Sequence, residues 1–159
     1  MGTEKNRKKK LVIIGADGHG KVIADIAVQN GYREIAFLDD GGGRKECAGY
    51  PVLGKSGDAG KFAADVVVGI GDANVRKRIQ DALKDENVVT LVHPDAVVAR
   101  DVVLGAGCVV MAGAVVVKNI KEKGMYIGML ARKKGIIHKN IREGEPKHLK
   151  KKLFLPVLA

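Results

Sequence analysis

Apolar runs alternate with amphipathic stretches over residues 11 to 92. Four short runs predict buried strands: Leu11 to Ile14, Ile35 to Leu38, Val66 to Ile70 and Val88 to Val92. Apolar residues at helical spacing follow the first run, in Lys21 to Gln29, and follow the third run as Val75, Ile79 and Leu83. Strands that alternate with helices predict parallel βαβ units. We therefore expect a small, doubly wound, Rossmann-like α/β domain at residues 11–90.

Weaker signals mark the shorter elements of this domain. The segment Tyr50 to Gly54 contains a proline and predicts a brief edge-like strand. Ser56 is predicted to cap a short helix that runs to about Phe62, and Asp72 is predicted to cap the helix after the third strand.

The period of the pattern changes to six after Thr90. Aliphatic residues recur every six positions, and a small residue follows four positions later in each unit. The aliphatic positions are Val92, Val98, Leu104, Val110 and Val116, and the small ones are Ala96, Val102, Cys108 and Ala114. Hexapeptide periodicity is typical of a β-helix. We expect a short β-helix at residues 91–131, although four units make little more than one three-sided coil.

Composition excludes several classes of protein. The chain has 159 residues, of which 46% are hydrophobic, 29% are charged and only 4% are aromatic. Disordered, fibrous and membrane-spanning chains do not fit, and the short apolar run after the basic start does not resemble a secretory signal. We therefore expect a cytoplasmic protein, with Cys47 and Cys108 as free thiols and no metal site.

The net charge of +10 lies at the two ends of the chain. Residues 1–10 carry +4 and residues 132–159 carry +7, which leaves −1 for residues 11–131. A basic face on the folded body is therefore missing, and we expect no nucleic-acid binding. The basic ends are solvated tails or contacts for an anionic partner; the apolar C-terminus either covers the open end of the β-helix or touches an acidic membrane surface.

Candidate binding residues cluster where predicted parallel strands end, and ligands bind at that edge of such sheets. The first cluster, between a strand and a helix, has the glycines and free N–H groups of a phosphate loop, or is simply a tight turn capped by Asp17. The second can accept hydrogen bonds from a ribose or is a solvated turn. The third approaches the ligand; alternatively, Asp72 only caps a helix and Arg76 lies on a solvated face. The clusters are Gly15, Ala16, Asp17, Gly18, His19, Gly20 and Lys21; Asp39 and Asp40; and Gly71, Asp72 and Arg76.

These stretches together resemble the bacterial sugar-nucleotide acetyltransferases of the NeuD or PglD type. The resemblance covers most of residues 11–132 and is carried by the following segments, in the order of the family: Leu11-Val-Ile-Ile-Gly-Ala-Asp-Gly-His-Gly-Lys21-Val-Ile-Ala-Asp25, Ile35-Ala-Phe-Leu-Asp-Asp40, Gly49-Tyr-Pro-Val-Leu-Gly54, Val68-Gly-Ile-Gly-Asp72, Val92-His-Pro-Asp-Ala-Val97, the hexapeptides, Val115-Val-Val-Lys-Asn-Ile120 and Gly128-Met-Leu-Ala-Arg132. It implies that the N-terminal domain binds a UDP-amino-sugar and that the β-helix is left-handed. It also implies acetyl-CoA as co-substrate and a homotrimer.

Two departures from the family pattern limit what the resemblance implies. Asp17 stands where the family has Gly or Ser, next to any bound phosphate. No histidine lies between His93 and His138, so the general base that would deprotonate the sugar amine has no counterpart, and we assign no catalytic residue. We expect a sugar-nucleotide-binding protein with impaired acetyl transfer, or alternatively a non-catalytic binding or regulatory module.

Overall fold

The computed structural model describes residues 9–83 and 88–129, together with the backbone of residues 132 and 133. The predictions for the two basic ends lie almost wholly outside the described residues; Lys10, assigned to the N-terminal tail, is instead the first residue of a strand. No helix in the described part of the chain is long and apolar enough to span a bilayer.

A five-stranded sheet organises the first half of the chain. Its strands are β1 (Lys10–Ile14), β2 (Glu34–Leu38), β3 (Glu46–Cys47), β4 (Tyr50–Gly54) and β5 (Asp65–Val68), in the spatial order β3-β4-β2-β1-β5. All pairs are parallel except the hairpin of β3 with β4. The parallel strands therefore follow the order third, second, first, fourth of a Rossmann half-sheet, which confirms the predicted α/β class.

Alternate residues of β1 point into two separate cores on opposite faces of the sheet. Leu11 and Ile13 join the core beneath α1 (Gly18–Gln29), whereas Val12 and Ile14 join the core formed with a 3₁₀ helix (Ser56–Lys61) and with Ile79 of α2 (Ala73–Ala82). A strand buried on both faces needs a continuous apolar run, and the sequence Leu11 to Ile14 provides it.

Three local expectations differ from the structure. Helix α1 begins at Gly18 and not at Lys21. The N-cap of the 3₁₀ helix is Lys55, because the Ser56 hydroxyl donates instead to Asp40. The run Val88 to Val92 does not form a fourth long strand: Val88 makes one bridge to Val66, and the chain then leaves the sheet.

Short parallel strands stack on one another in the second half of the chain. They are β6 (Leu91–Val92), β7 (Val97–Val98), β8 (Cys108–Val110), β9 (Val115–Val116) and β10 (Gly124–Ile127), to which β11 (Arg132–Lys133) adds an antiparallel pairing. Two sheets result, one with the order β11-β10-β8-β6 and one formed by β7 and β9. Residues of the six-residue pattern share one interior cluster, which contains Val92, Ala96, Val98, Val102, Leu104, Cys108, Val110, Ala114 and Val116.

The spacing of paired residues gives the number of residues in each turn of this stack. Val92 pairs with Val110 and Val98 with Val116, so the chain returns to the same side after 18 residues, or three six-residue units. Six residues after Val98, within the same turn, the bridge of Leu104 to Ile120 shortens the return to 16 residues. The Asn119 side chain accepts the Val103 N–H at this shortened corner, at 2.8 Å.

Tyr126 gives this stack a dependence on alkaline pH. Its side chain is buried and its hydroxyl donates to the Glu122 carbonyl at 2.6 Å. Burial, with a smaller effect of Cys108 and Glu122, raises the pKa of Tyr126 to about 12 from 10.0. The folded state therefore prefers the neutral phenol, so its stabilising contribution is complete below pH 10 and is lost as the pH rises toward 12.

We expect wild type to lose unfolding free energy in this pH range faster than Tyr126→Phe, which cannot ionise there. Urea unfolding of both proteins at several alkaline pH values measures the difference. The comparison is specific to Tyr126 because Tyr32, whose pKa is raised by burial and by its bond to Asp65, is present in both proteins. Parallel loss of stability in the two proteins would contradict the assignment.

Candidate functional site

A sharp turn joins the carboxyl end of β1 to α1. Gly15 has a φ of +104°, which non-glycine residues rarely adopt, and its N–H donates to the Leu38 carbonyl at 2.8 Å. Ala16 and Asp17 complete the turn, and α1 begins at Gly18. The first N–H groups of the helix have no intrahelical acceptor, so the turn presents donors and a positive dipole end at the sheet edge.

Gly20 allows α1 to lie directly against this turn. A Cβ atom at position 20 would be 2.0 Å from the Gly15 carbonyl oxygen, closer than any side chain tolerates. Gly69, after β5, packs on the other side, where an added Cβ would lie 3.0 Å from the Gly20 Cα. These glycines serve close packing of the backbone, in contrast with Gly18, which has open space around it.

His19 lies over the loop that follows β5. An added Cβ on Gly71 would lie 2.9 Å from His19 Cε1, so the imidazole ring and this loop are in contact. The structure therefore brings the first and third predicted clusters together. Lys21, one turn into the helix, is exposed.

Asp39 ties the second cluster to the first. Its Oδ2 accepts the N–H of Ala16 and its Oδ1 accepts the N–H of Gly41, both at 2.8 Å. Since Ala16 is fully buried, this carboxylate satisfies a donor that water cannot reach. Both oxygens of Asp39 thus serve the protein itself, and the predicted contact with a ribose stays a prediction.

Asp40 points to a different partner. Its two oxygens accept the Ser56 N–H at 2.9 Å and the Ser56 hydroxyl at 2.6 Å. These hydrogen bonds hold the pKa of Asp40 below its ordinary value, so the side chain is ionised at neutral pH. Because it is exposed, its negative charge faces the solvent next to the turn.

The third cluster stabilises its own loop. Asp72 caps α2, as predicted, by accepting the N–H groups of Asn74 and Val75 at 2.9 Å. Arg76 is only 2% exposed, and its Nη1 donates to the carbonyls of Ile70 and Gly71 at 2.8 and 3.2 Å. Burial lowers the pKa of Arg76 from its ordinary value. In this structure Arg76 therefore holds the loop and does not lie on a solvated face, whereas a contact with a ligand stays a prediction.

Arg44 completes the site and was missed in the sequence. Its Nη1 donates to the Ala16 carbonyl and lies 3.6 Å from Asp17 Oδ1. The buried thiol of Cys47 donates to the same carbonyl at 3.3 Å. Arg44 follows three consecutive glycines, Gly41, Gly42 and Gly43. Glycines after the end of a strand allow the chain to fold back, and this was the signal in the sequence that the Arg44 side chain could reach the turn after β1.

A cleft of about 310 Å³ lies between these elements. Its lining includes the turn after β1, the end of β2 and the loop before α2, and its charged residues are Asp17, Asp39, Asp40 and Arg44. A second cavity of about 310 Å³ lies on the other side of the α1 start. It is lined by Gly18, His19 and Val22 together with Met111, Met125 and Ile127 of the stacked strands.

His93 lies at the junction of the two halves. Its Nδ1 accepts the Asp95 N–H at 3.0 Å, and its Nε2 is 3.3 Å from the side-chain nitrogen of Gln29 on α1. Asn30, which follows α1, donates to the Val92 carbonyl at 2.9 Å. These contacts dock the end of α1 onto the first stacked strand.

Comparison with known proteins places these features in context. Residues 10–83 match the family described as the PglD N-terminal domain. UDP-N-acetylbacillosamine N-acetyltransferase from Bacillus subtilis (strain 168) is 34% identical over 114 residues, which are 65% of this chain and 52% of that protein. The chain thus spans about half the length of the curated relative that it matches.

Solved structures agree with this finding. The acetyltransferase domain of PglB from Neisseria gonorrhoeae FA1090, in complex with acetyl coenzyme A, aligns with a TM-score of 0.68 and 34% identity, over 76% of this chain and 62% of that chain. A mutant of perosamine N-acetyltransferase from Caulobacter crescentus, in complex with CoA and GDP-perosamine, aligns with a TM-score of 0.61 and 31% identity, over 69% of this chain and 54% of that chain. The resemblance inferred from the sequence is confirmed.

Proposed function

We propose that this chain, a relative of the sugar-nucleotide acetyltransferases of the NeuD/PglD type, binds a UDP-amino-sugar at the carboxyl edge of its five-stranded sheet. The observation that carries the proposal is the turn from Gly15 to Asp17, which Gly20 brings into backbone contact with the start of α1 beside the 310 Å³ cleft. A diphosphate fits such a helix start because unpaired N–H groups and the helix dipole both favour anions.

The second half of the chain supports the same proposal. We infer that the described part of residues 91–131 forms a short β-helix, left-handed as the family resemblance implies. Paired residues recur after 16 to 18 positions, and the small and aliphatic positions of the hexapeptides share one interior. His19 and the methionines Met111 and Met125 line one cavity between this segment and α1. The sugar of a nucleotide whose diphosphate lies on the helix start would extend toward that cavity.

Acetyl transfer is the reaction in which we expect this chain to be impaired. The amine of the sugar would attack the thioester carbonyl of acetyl-CoA, lose a proton to a base and release the thiol of CoA. No histidine lies between His93 and His138, and His93 is held by Asp95 and Gln29 at the junction of the two halves. A non-catalytic module that binds a sugar nucleotide is therefore the second candidate function.

Calorimetric titration and thermal unfolding with UDP-N-acetylglucosamine, a UDP-4-amino-sugar, a GDP-sugar and acetyl-CoA test the binding. We expect heat of binding and a rise in Tm with the UDP-sugars and neither with acetyl-CoA alone. A preference for the GDP-sugar would contradict the assignment of uracil as the nucleobase of the ligand. No binding of any sugar nucleotide would contradict the proposal itself. Free-thiol release above background with acetyl-CoA and the amino sugar would contradict the expected impairment.

Gly18→Asp tests whether the diphosphate lies on the start of α1. An added Cβ at Gly18 has no heavy atom within 4 Å, and a carboxylate in the first turn is favourable to the helix, so the variant should fold. The same carboxylate would repel a diphosphate, and we expect the Kd to rise at least about tenfold. Gly18→Asn, with nearly the same shape and no charge, is the matched control and should bind more tightly than Gly18→Asp. Equal binding by both variants would place the phosphates elsewhere.

The solution mass tests assembly. Val97, Val103 and Val117 are each more than half exposed along the inferred β-helix, which makes this surface the candidate for contact between copies of the chain. Light scattering of the protein with and without UDP-sugar distinguishes a monomer from the trimer that the family resemblance implies.

A further inference from the structure

We propose that Arg44 is a positioning residue for the diphosphate, which acts by holding the Asp17 carboxylate away from the start of α1. This inference rests on the proposed function, because it names the side chain that makes the turn after β1 fit for an anion. Its starting point is that Asp17 has two conflicting properties: it is the N-cap residue of α1, and its charge lies where an anionic ligand would bind.

Asp17 does not cap the helix with its side chain. An N-cap aspartate ordinarily accepts a hydrogen bond from the second or third N–H of its helix. The Asp17 side chain makes no such bond, whereas Asp72, the N-cap of α2, accepts two. A carboxylate in the capping position would occupy the same N–H groups that a phosphate needs. The side chain of Asp17 is instead 80% exposed and turned toward Arg44.

Arg44 is placed to keep it there. Its guanidinium is held on the turn by its bond to the Ala16 carbonyl, and the same Nη1 lies 3.6 Å from Asp17 Oδ1. Gly42 and Gly43 have φ values of +71° and +82°, and these left-handed conformations direct the chain back over the turn just before residue 44. Replacing either glycine by a residue with a side chain would therefore disfavour this backbone conformation and displace Arg44.

The charges of the cleft show why the pairing of Arg44 with Asp17 matters for an anionic ligand. Among the described residues that line it, three are aspartates and one, Arg44, is a cation. Asp39 receives hydrogen bonds from backbone N–H groups, and Asp40 from Ser56 with Lys55 and Arg78 nearby. Asp17 is the aspartate that Arg44 contacts. The pair thus lowers the repulsion on the diphosphate and leaves the helix start open to it.

A double-mutant cycle on Asp17 and Arg44 tests the inference, with UDP-N-acetylglucosamine as the titrated probe. We expect Arg44→Gln to raise the Kd about tenfold, because the uncompensated carboxylate both repels the phosphates and competes for the N–H groups. Asp17→Ala should bind at least as tightly as wild type. The double variant should bind within about twofold of Asp17→Ala, since Arg44 then has nothing to hold. Lys45→Gln, with the same loss of charge one residue further along, is the control and should change the Kd less than twofold.

Each alternative outcome has a distinct meaning. A double variant as weak as Arg44→Gln would show that Arg44 contacts the ligand directly and would overturn the inference. Equal binding by wild type and Arg44→Gln would overturn it as well, while the proposed function would stand. Wild-type protein that binds no sugar nucleotide would overturn the proposed function first and this inference with it. Urea unfolding supplies a readout without ligand. Because Asp17 is free to cap α1 once Arg44 is replaced, Asp17→Ala should destabilise Arg44→Gln more than it destabilises wild type, and this comparison cancels the lost bond of Arg44 to the Ala16 carbonyl.

Discussion

Gly20→Ala is expected to be among the most destabilising single-methyl additions in this protein, at a cost of about 3 kcal/mol or more in unfolding free energy. In an ordinary helix the same change would stabilise by up to about 1 kcal/mol, because alanine has the higher helix propensity. Here the added Cβ would be 2.0 Å from the Gly15 carbonyl oxygen, and Phe37 and Gly69 close off the neighbouring space. The contact can be relieved only by moving α1 away from the end of β1.

The same variant should lose sugar-nucleotide binding, since the separation of α1 from the turn disrupts the proposed phosphate site. Thermal unfolding should show a Tm lower by about 6 to 12 °C, and calorimetric titration should show no heat with a UDP-sugar. Gly18→Ala is the matched control, because it adds a methyl group to the same helix turn in open space. Its stability should equal or slightly exceed that of wild type. Wild-type stability of Gly20→Ala would mean that the turn and the helix are not in the described contact.

The difference between Gly18 and Gly20 also shows why the helix start was misplaced from the sequence. Three glycines in six residues indicate a loop to any analysis of local propensity, so the helix was predicted from Lys21. In the structure the helix begins at Gly18. Position 20 is a glycine because any side chain there would collide with the Gly15 carbonyl, a contact that no local sequence pattern reveals. Tertiary packing, and not flexibility, accounts for that glycine.

The strands were predicted well where burial on both faces produces a continuous apolar run. The β1 and β2 runs were located to within one residue for this reason. The run Val88 to Val92 has the same composition, yet it is divided: Val88 bridges to β5, and Leu91–Val92 pairs with β8. Hydrophobic pattern predicts that a segment is buried in a sheet, but it does not specify which sheet supplies the partner.

The candidate site, too, was predicted only in part. The sequence placed three clusters at one sheet edge, because parallel strands end on the same side, and the structure joins the first to the second through Asp39 and to the third through His19 and Gly71. It did not indicate how many of these side chains are occupied by the protein itself. The hydrogen bonds of Asp39 and Arg76 end on backbone groups 23 and 6 residues away, and only the folded chain shows that.

Asp39→Ala is expected to have the second largest effect on stability, about 3 kcal/mol. The variant removes two hydrogen bonds to a charged acceptor and leaves the N–H of fully buried Ala16 without a partner. The turn after β1 and the glycine loop after β2 would then lose the side chain that connects them. Urea unfolding at neutral pH measures the loss.

Asp40→Ala provides the comparison, because it removes the same charge from the adjacent position. The described hydrogen bonds of Asp40 go to half-buried Ser56 and are exposed to solvent, so water can replace them, and we expect a change of no more than about 1 kcal/mol. Asp39→Asn should lie between the two, since an amide retains one acceptor oxygen but turns a donor toward the other N–H. Equal effects of Asp39→Ala and Asp40→Ala would mean that net charge near the cleft, and not the support of the buried N–H, determines the stability of this edge. The order Asp39→Ala, Asp39→Asn, Asp40→Ala, from largest loss to smallest, is what the hydrogen-bond geometry requires.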